Sequence, residues 1–596
     1  MDLIIFDFEV FKYDTLLGAK IITGSNKGVF QSWDMDEIRC FYENHKFDLW
    51  IGHNNVAYDN LILEAIVEGK NPYQKSKQLI GAVGRPYCNL PLLSWDLMLQ
   101  TLSPYSLKMT ELCHGKNISE TEVDFNLDRP LTESEKERTE SYNRDDLNQT
   151  EENFLELKPK LDMRLSIINE FNLDMRSCLN ITGTKLASIV LGAHSINGIE
   201  KMSIHPKRYP NLELKNEELK RFYLNGEFKN GSKLTINLCG EPHQIGQGGI
   251  HSAEKCCHYS KALYFDVSGY YNLTRINFDL LPRTLGEEGK KKYIDMYHEQ
   301  LERKKKHDPR RSTYKTILLS VFGAMGNKYT EFYDPEKLLM VTMTGQLFIV
   351  DLLEKLEPYV KCIQSNTDGI IVSPYDWNDE EKILSIVKDW CERTGYIISP
   401  KTIYNIYQRD VNCYFYEEKE NDPSSVHVVG EAVKMYKSTD KPILSLRFNA
   451  KEPCIYSYCI VDYFLSGIKP EDTIKKYSDN LELFQYICKK NSFDWTQSET
   501  ILPDNTVEIT KLQGVNRAFP SNDMETKTSV YKCRKEGKVK RAKVANIPDN
   551  VFIYDGDIIH DTDEIKKHID WNYYKIRAYD KIKSFLRIPH IKDISI

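Results

Sequence analysis

A chain of 596 residues with 41% hydrophobic and 28% charged side chains is ordinary for a globular protein and too long for one core, so roughly two to five compact units are expected. No apolar run approaches the ~18 residues that cross a bilayer, Asp2 stands where a secretory leader would be basic, and the fourteen cysteines contain no CxxC pair, which excludes a disulfide scaffold and points to a reducing, cytoplasmic setting with no membrane partner. The net charge of −7 excludes a uniformly basic protein, although it leaves room for acids grouped at metal sites with the bases grouped elsewhere.

The first 150 residues read as α/β, with strands predicted at 2–10 and 48–53 and helices after Asp59 and through 133–157. In "LIIFDFEVF" Asp7 and Glu9 stand at i and i+2, on one face of a strand, where both reach the same cations. Asp59 follows a strand and an Asn-rich turn, at the start of a helix; Asn54 and Asn55 in that turn are candidate ligand contacts. In "YNRDD" Tyr142 and Asp146 stand at i and i+4 on a helix, so hydroxyl and carboxylate face the same way. A carboxylate at the end of a buried apolar strand is costly unless its charge is compensated. A pair of divalent cations supplies that compensation, and phosphoryl-transfer chemistry uses such a pair.

Residues 156–200 carry helical apolar spacing, and a Gly cluster, "GQGG" (246–249), precedes a strand at 261–267. Cys256, Cys257 and His258 adjoin, but without a second ligand pair nearby they do not make a zinc site. The strand ends in Asp266, the first acid of a second set. Residues 291–325 read as two helices broken at "HDPRRS", where Pro309 stops continuation. On the second of them Lys315, Leu319 and Phe322 share a face. A helix at 344–357 leads to a hairpin around "NTDG", with Asp368 in the turn and Asn366 and Gly369 suited to it. Beyond residue 435 the pattern turns mixed, charged and more helical toward the C-terminus. Lys290 to Lys315 holds ten Lys/Arg against four acids, and Lys532 to Lys543 holds seven against Glu536 alone. Two such runs beside one acid set point to phosphate contacts. There is no internal repeat and no low-complexity tract.

The N-terminal pattern resembles the DEDD proofreading 3′–5′ exonucleases of the tyrosine variant, an RNase H-like fold. Asp7 and Glu9 match the first motif, Asp59 within "NNVAYD" the second, and Tyr142 with Asp146 the third. The later elements resemble motifs A, B and C of a family B DNA polymerase, of the small phage type. "DVSGYYNL" matches DxxSLYPS at Asp266 and Tyr271, "KTILLSVFG" matches KxxxNSxYG at Lys315, Ser320 and Gly323, and "NTDG" matches DTDS at Thr367 and Asp368. The Gly cluster sits where a Gly-Gly motif joins the two activities in some phage members, and "DWNYYKIRAYDKIKSF" (570–585) resembles the thumb segment that grips a primer duplex.

The resemblance implies an α/β multidomain chain, an exonuclease followed by a right-hand polymerase. Its expected layout is exonuclease 1–155, helical connector 156–259, palm 260–290 and 331–435, fingers 291–330, and thumb with C-terminal region 436–596. It implies two Mg²⁺ or Mn²⁺ ions at each site, on Asp7, Glu9, Asp59 and Asp146 in one, and on Asp266, Asp368 and the Val267 carbonyl in the other. Tyr142 would place the attacking water. Lys315, helped by Arg303 or a neighbour, would neutralise the nucleotide triphosphate, Tyr271 would exclude a ribose 2′-OH, and Phe322 would pack against the incoming base pair. Lys532, Arg534, Lys540, Arg541, Tyr573 and Tyr574 would contact DNA. The partners implied are a primer–template, dNTPs, and processivity or replisome proteins. The 49 residues from Asp266 to Lys315 and 45 from Gly323 to Asp368 leave little room for the insertions of protein-primed enzymes, which argues against a terminal-protein primer. Three positions depart from the family: Asn366 replaces the first motif C acid, Leu319 the motif B asparagine, and Phe322 the tyrosine. A family A polymerase fits less well, because its motif B spacing and its His-Asp-Glu are absent. The alternative function is a nuclease or nucleic-acid-binding protein whose polymerase half has decayed.

Overall fold

Leu3–Val10 (β1) is the middle strand of a five-stranded sheet in the computed structural model, and its alternation explains why. Ile4, Phe6, Phe8 and Val10 enter one apolar core with Trp50 and Ile62, which turns Asp7 and Glu9 to the opposite face. The sheet runs β3 (Gly28–Ser32), β2 (Thr15–Ile21), β1, β4 (Leu49–Gly52), β5 (Leu93–Asp96). β1 is antiparallel to β2 and parallel to β4, so Asp59, opening the helix Asp59–Val67 beyond β4, comes back beside β1.

The structure describes residues 1–80, 84, 87–101, 105–121, 123–199, 209–224, 231–437, 452–536 and 538–586. It divides into two units, the first comprising Met1–Ile181, Lys437–Ile455 and Ile474–Lys575, the second Thr182–Tyr436, Tyr456–Thr473 and Ile576–Ile596. Within the first, a Thr132/Glu135 capping box starts a helix that runs from Glu133 to Glu170. It passes through Pro159 without stopping, because Leu157, Leu161, Ile167 and Ile168 continue its buried stripe. The boundary expected at residue 155 falls inside this helix, and the first unit runs on to Ile181.

The second unit is built on a nine-stranded sheet. In chain order its strands are β6 (Leu234–Leu238), β7 (Glu241–Ile245), β8 (His251–Ala253), β9 (Cys257–Asp266), β10 (Val360–Asn366), β11 (Gly369–Pro374), β12 (Lys401–Asp410), β13 (Cys413–Glu417) and β14 (Val426–Val429). Their order in space is β14-β13-β12-β9-β11-β10-β8-β7-β6, so β9 and the β10–β11 hairpin lie side by side. The predicted helix pair is Gly286–Lys305 and Arg311–Ala324, broken around Pro309 as expected. The helix expected at 344–357 starts earlier, at Pro335, with Asp334 capping it.

The mixed pattern expected beyond residue 435 is found, with helices Ile455–Ser466 and Pro470–Tyr477, but helix rises toward the C-terminus only after residue 561. Residues 486–553 are β-structure in the first unit, a three-stranded and a four-stranded antiparallel sheet. The three-stranded sheet is β15 (Tyr486–Lys489), β18 (Val515–Pro520) and β21 (Val551–Ile553). The other has the order β17 (Val507–Leu512), β16 (Trp495–Ile501), β19 (Lys527–Glu536), β20 (Lys538–Lys543). β17 is exposed over most of its length and carries Val507 and Ile509 on its surface, so these strands lack a clean period-2 pattern, and their β-branched Thr, Val and Ile residues were the readable signal. Two helices, Thr562–Ile565 and Trp571–Lys583, follow. Parts of the expected connector and thumb, at 200–208, 225–230, 438–451 and 587–596, lie outside the described residues. Among the described residues no helix is long and apolar enough to cross a membrane.

Candidate active sites

The first site forms on the acidic face of β1. Ligand oxygens of Asp7, Glu9 and Asp146 lie within 4.8 Å of one another. Asp59 adjoins them, its Oδ1 accepting the Phe8 N–H at 3.2 Å. Asn143, one residue past Tyr142, donates from Nδ2 to Asp7 Oδ2 at 3.2 Å and is itself held by Gln31 at 3.1 Å. Gly18 stands opposite Asp7 in the β1–β2 ladder, and a Cβ there would meet Asn143 Cγ at 2.7 Å, so this glycine makes room for that contact.

The electrostatics of this cluster are those of acids awaiting cations. Burial, then the neighbouring Asp59, pushes Asp7 up to about 8, and burial lifts Asp59 to about 7. Glu9 and Asp146 also lie well above the ordinary carboxylate range, again mainly through burial. Asp146 Oδ1 is buried with no hydrogen-bond partner, and Lys108 Nζ stands 3.6 Å from it. An orphaned buried oxygen in a group of carboxylates is what a divalent cation requires, so these residues fit the expected metal pair. Tyr142 stands one turn before Asp146 on the same helix, and burial, then the Asp146 charge, keeps its phenol neutral. Three groups here escaped the sequence reading: Asn143, Lys108 and the buried Glu111, whose carboxylate lies 3.0 Å from Lys108. The Lys108 ammonium is also 4.6 Å from the Tyr142 ring centroid. Asn55, expected as a ligand contact, is instead buried and bonded to Ser94 and Asn60, so its role is to brace the turn.

In the second unit Asp266 ends β9 and pairs with Gly369 across the ladder, which sets it beside Asp368. The hairpin turn is Thr367–Asp368, and the left-handed residue is Thr367 at φ 61°. A β-branched residue there is strained and must be held. Thr367 N–H donates to Ile250 O at 2.9 Å, and Asp368 O accepts from Val267 N–H at 2.9 Å. The Gly cluster supports this turn from behind. Gln346 donates to the carbonyls of Gly246 and Gly248, and a Cβ on Gly249 would meet Thr367 Cβ at 2.8 Å. Burial, then Asp266, raises Asp368 to about 6, and burial raises Asp266 against the opposing charge of Lys401. Two adjoining acids in the charged form repel, so this pair also fits a cation partner. The Val267 carbonyl accepts the Tyr270 N–H at 3.3 Å. Asn366, in place of an acid, is the cross-strand partner of His251 on β8.

A cavity of about 360 Å³ opens from Asp368. Its lining includes Tyr271 and Leu319 with Lys304, Arg311 and Lys315. Among the described residues none of those three cations has a carboxylate within 4.0 Å, and the Arg311 Nε is buried without a hydrogen-bond partner. Arg311 opens a helix that has no acid in its first turn. A cation at the positive end of a helix is unfavourable unless an anion joins it. That arginine was legible as a signal in "HDPRRS", where only the helix break was read. Arg303 does not line the cavity; it is bonded to Glu299 at 2.8 Å and packs its guanidinium on Tyr314. Tyr271 and Phe322 stack with ring centroids 3.6 Å apart.

The expected DNA contacts fall on the four-stranded sheet and on the start of the helix Trp571–Lys583. Arg534 and Lys540 are cross-strand partners on β19 and β20, and Lys532 and Arg534 both lie over the Phe493 ring. Arg541 pairs with Glu499 and covers Tyr531. Tyr573 is half-buried. Tyr574 is fully buried with its hydroxyl donating to Phe484 O, which leaves it no surface to offer a nucleic acid.

No protein-family model and no curated protein matches the chain. Among solved structures it is similar to the family B DNA polymerase from the hyperthermophilic archaeon Pyrobaculum calidifontis. The identity is 13% and the TM-score 0.46, over 100% of this chain and 79% of that one. A likeness that loose assigns nothing, and the side chains described above carry the functional reading instead.

Proposed function

We propose that the protein is a template-directed DNA polymerase of the family B kind with a 3′–5′ proofreading exonuclease, serving phage DNA replication. The observation that carries this reading is the cavity that places Asp368 at one end, beside Asp266, and Lys304, Arg311 and Lys315 around it. A carboxylate pair beside three cations that have no carboxylate partner among the described residues is complementary to a triphosphate, whose outer phosphates would meet the positive charge while the acids would hold divalent ions. Asp266, Asp368 and the Val267 carbonyl would hold one pair of Mg²⁺ or Mn²⁺ ions, and Asp7, Glu9, Asp59 and Asp146 the other. When bound, such ions lower the pKa of the attacking oxygen and stabilise the departing one.

The chain's own groups do the rest. Lys304, Arg311 and Lys315 neutralise the triphosphate, Tyr271 bars a 2′-hydroxyl, and Phe322 backs the incoming base. In the exonuclease Tyr142 orients the attacking water and Asn143 fixes Asp7. Lys532, Arg534, Lys540, Arg541 and Tyr573 contact DNA phosphates and sugars. A gel assay on a primer–template, with and without dNTPs, reads both activities. Extension with dNTPs and shortening without them are expected, and Asp368→Ala should abolish extension while shortening survives. Extension that persists in Asp368→Ala overturns the site. Shortening without any extension by the wild type would favour the nuclease with a decayed polymerase half.

A further inference from the structure

Behind the Tyr271–Phe322 pair lies Arg275, a fully buried side chain with no ion pair to a carboxylate among the described residues. Leaving a guanidinium in a dry interior without a counter-charge is expensive, and an apolar side chain of similar volume is often more stable there. What the arginine provides is a set of fixed bonds between three helices. Its Nε donates to Tyr271 O at 3.0 Å on the helix Tyr270–Asn277. Its Nη2 donates to Asn272 Oδ1 and to the Tyr293 hydroxyl, both at 2.7 Å, and lies 3.5 Å from Leu318 O. Tyr293 belongs to Gly286–Lys305 and Leu318 to Arg311–Ala324. The guanidinium carbon sits 5.8 Å from the Phe322 centroid. One side chain thus grips the backbone of Tyr271 and the helix and ring of Phe322, while its Nη1 has no partner.

We propose that Arg275 is the positioning residue of the Tyr271–Phe322 pair and thereby sets sugar discrimination in the nucleotide cavity. The inference rests on the polymerase reading and deepens it. Tyr271 and Asn272 line the cavity, whereas Arg275 touches no substrate; it acts by fixing where the Tyr271 ring stands. A ring displaced by a fraction of an ångström still permits a deoxynucleotide but no longer clashes with a 2′-hydroxyl.

The test is steady-state primer extension with a dNTP and the matching rNTP on wild type, Arg275→Met, Arg275→Lys and Tyr293→Phe. In Arg275→Met the dNTP-over-rNTP ratio of kcat/KM is expected to fall about tenfold, through a lower KM for the rNTP and a higher one for the dNTP. Arg275→Lys should recover about a third of the loss, and Tyr293→Phe, which removes one bond to the guanidinium, should shift the ratio about threefold in the same direction. A ratio within about twofold of wild type in Arg275→Met, even with kcat reduced for both nucleotides, overturns the inference and leaves Arg275 a packing residue. Should that variant not fold, an unchanged ratio in Tyr293→Phe overturns it equally. A wild type that extends with neither nucleotide overturns the polymerase reading and this inference with it; a wild type that discriminates while Arg275→Met matches it overturns this inference alone.

Discussion

Four acids, Asp7, Glu9, Asp59 and Asp146, with the buried Glu111 beside them, meet one nearby ammonium among the described residues, Lys108, and that imbalance makes the first site sensitive to pH and to metal. Burial raises Asp7 to about 8 and Asp59 to about 7, above their unfolded values. The folded chain therefore binds more protons than the unfolded one between those limits. This contribution to stability is full below the unfolded carboxylate pKa and is lost as pH rises through about 7 and then about 8. Divalent ions replace the lost protons. Mn²⁺ should accordingly raise the melting temperature by several degrees at pH ~8.5 and by little at pH ~6, where protons compete for the same oxygens. Equal shifts at both pH values would mean that the acids do not hold the metal. The site's main ligands were legible because each sits on a local spacing rule: i, i+2 on a strand for Asp7 and Glu9, i, i+4 on a helix for Tyr142 and Asp146. Lys108, Glu111 and Asn143 were not legible. Lys108 and Glu111 reach the site from the separate helix Leu107–Cys113, and a lone lysine in "LKMTELC" has no signature of its own.

Among elements, the β10–β11 hairpin was legible from "NTDG", but its support was not. The turn depends on a strained Thr367 and on the Gly246–Gly249 segment packed behind it. Gly249→Ala would set a Cβ 3.0 Å from Thr367 Cα, too close for backbone to remain in place. Moving the turn moves Asp368 relative to Asp266, and misplacing a catalytic group by an ångström costs about a hundredfold. Under the proposed function, Gly249→Ala is therefore expected to lower the extension rate about a hundredfold while the proposed exonuclease activity, whose acids lie in the other unit, is retained. Extension within about threefold of wild type would show that the Gly cluster spaces the chain without shaping the turn. The Gly cluster was recognised as a linker motif from order along the chain, which cannot reveal what it packs against. The C-terminal strands were misread for a related reason. In "KTSVYKCRKE" the buried residues are Ser529, Val530 and Cys533, which is no alternation, and the surrounding charge hid the strand.

At the scale of the molecule, the first unit joins the N-terminal segment Met1–Ile181 to the distant segment Ile474–Lys575, and Arg517 is where these two segments are tied. This fully buried guanidinium on β18 donates to Lys116 O at 2.9 Å and Leu112 O at 3.3 Å, more than 400 residues away, and to Gly556 O at 2.8 Å and Gln485 Oε1 at 2.8 Å. Ile118 N–H donating to Asp555 O at 2.8 Å extends the same seam. No spacing rule reports such a pairing, so the expected layout treated exonuclease and thumb as separate domains. Arg517→Met keeps the volume but leaves several buried carbonyls without donors, each worth about 1–3 kcal/mol when unsatisfied. A loss of roughly 2–4 kcal/mol in unit stability is expected. The segment 107–118 carries Lys108 and Glu111, so the damage should appear at the first acid cluster, the proposed exonuclease site, although the substitution lies on β18. Hydrogen exchange of the variant should show lost protection in both 107–118 and 515–520, with exonuclease activity falling at temperatures where extension persists. Lost protection confined to 515–520 would mean that the two ends fold independently and that the seam is incidental to the site.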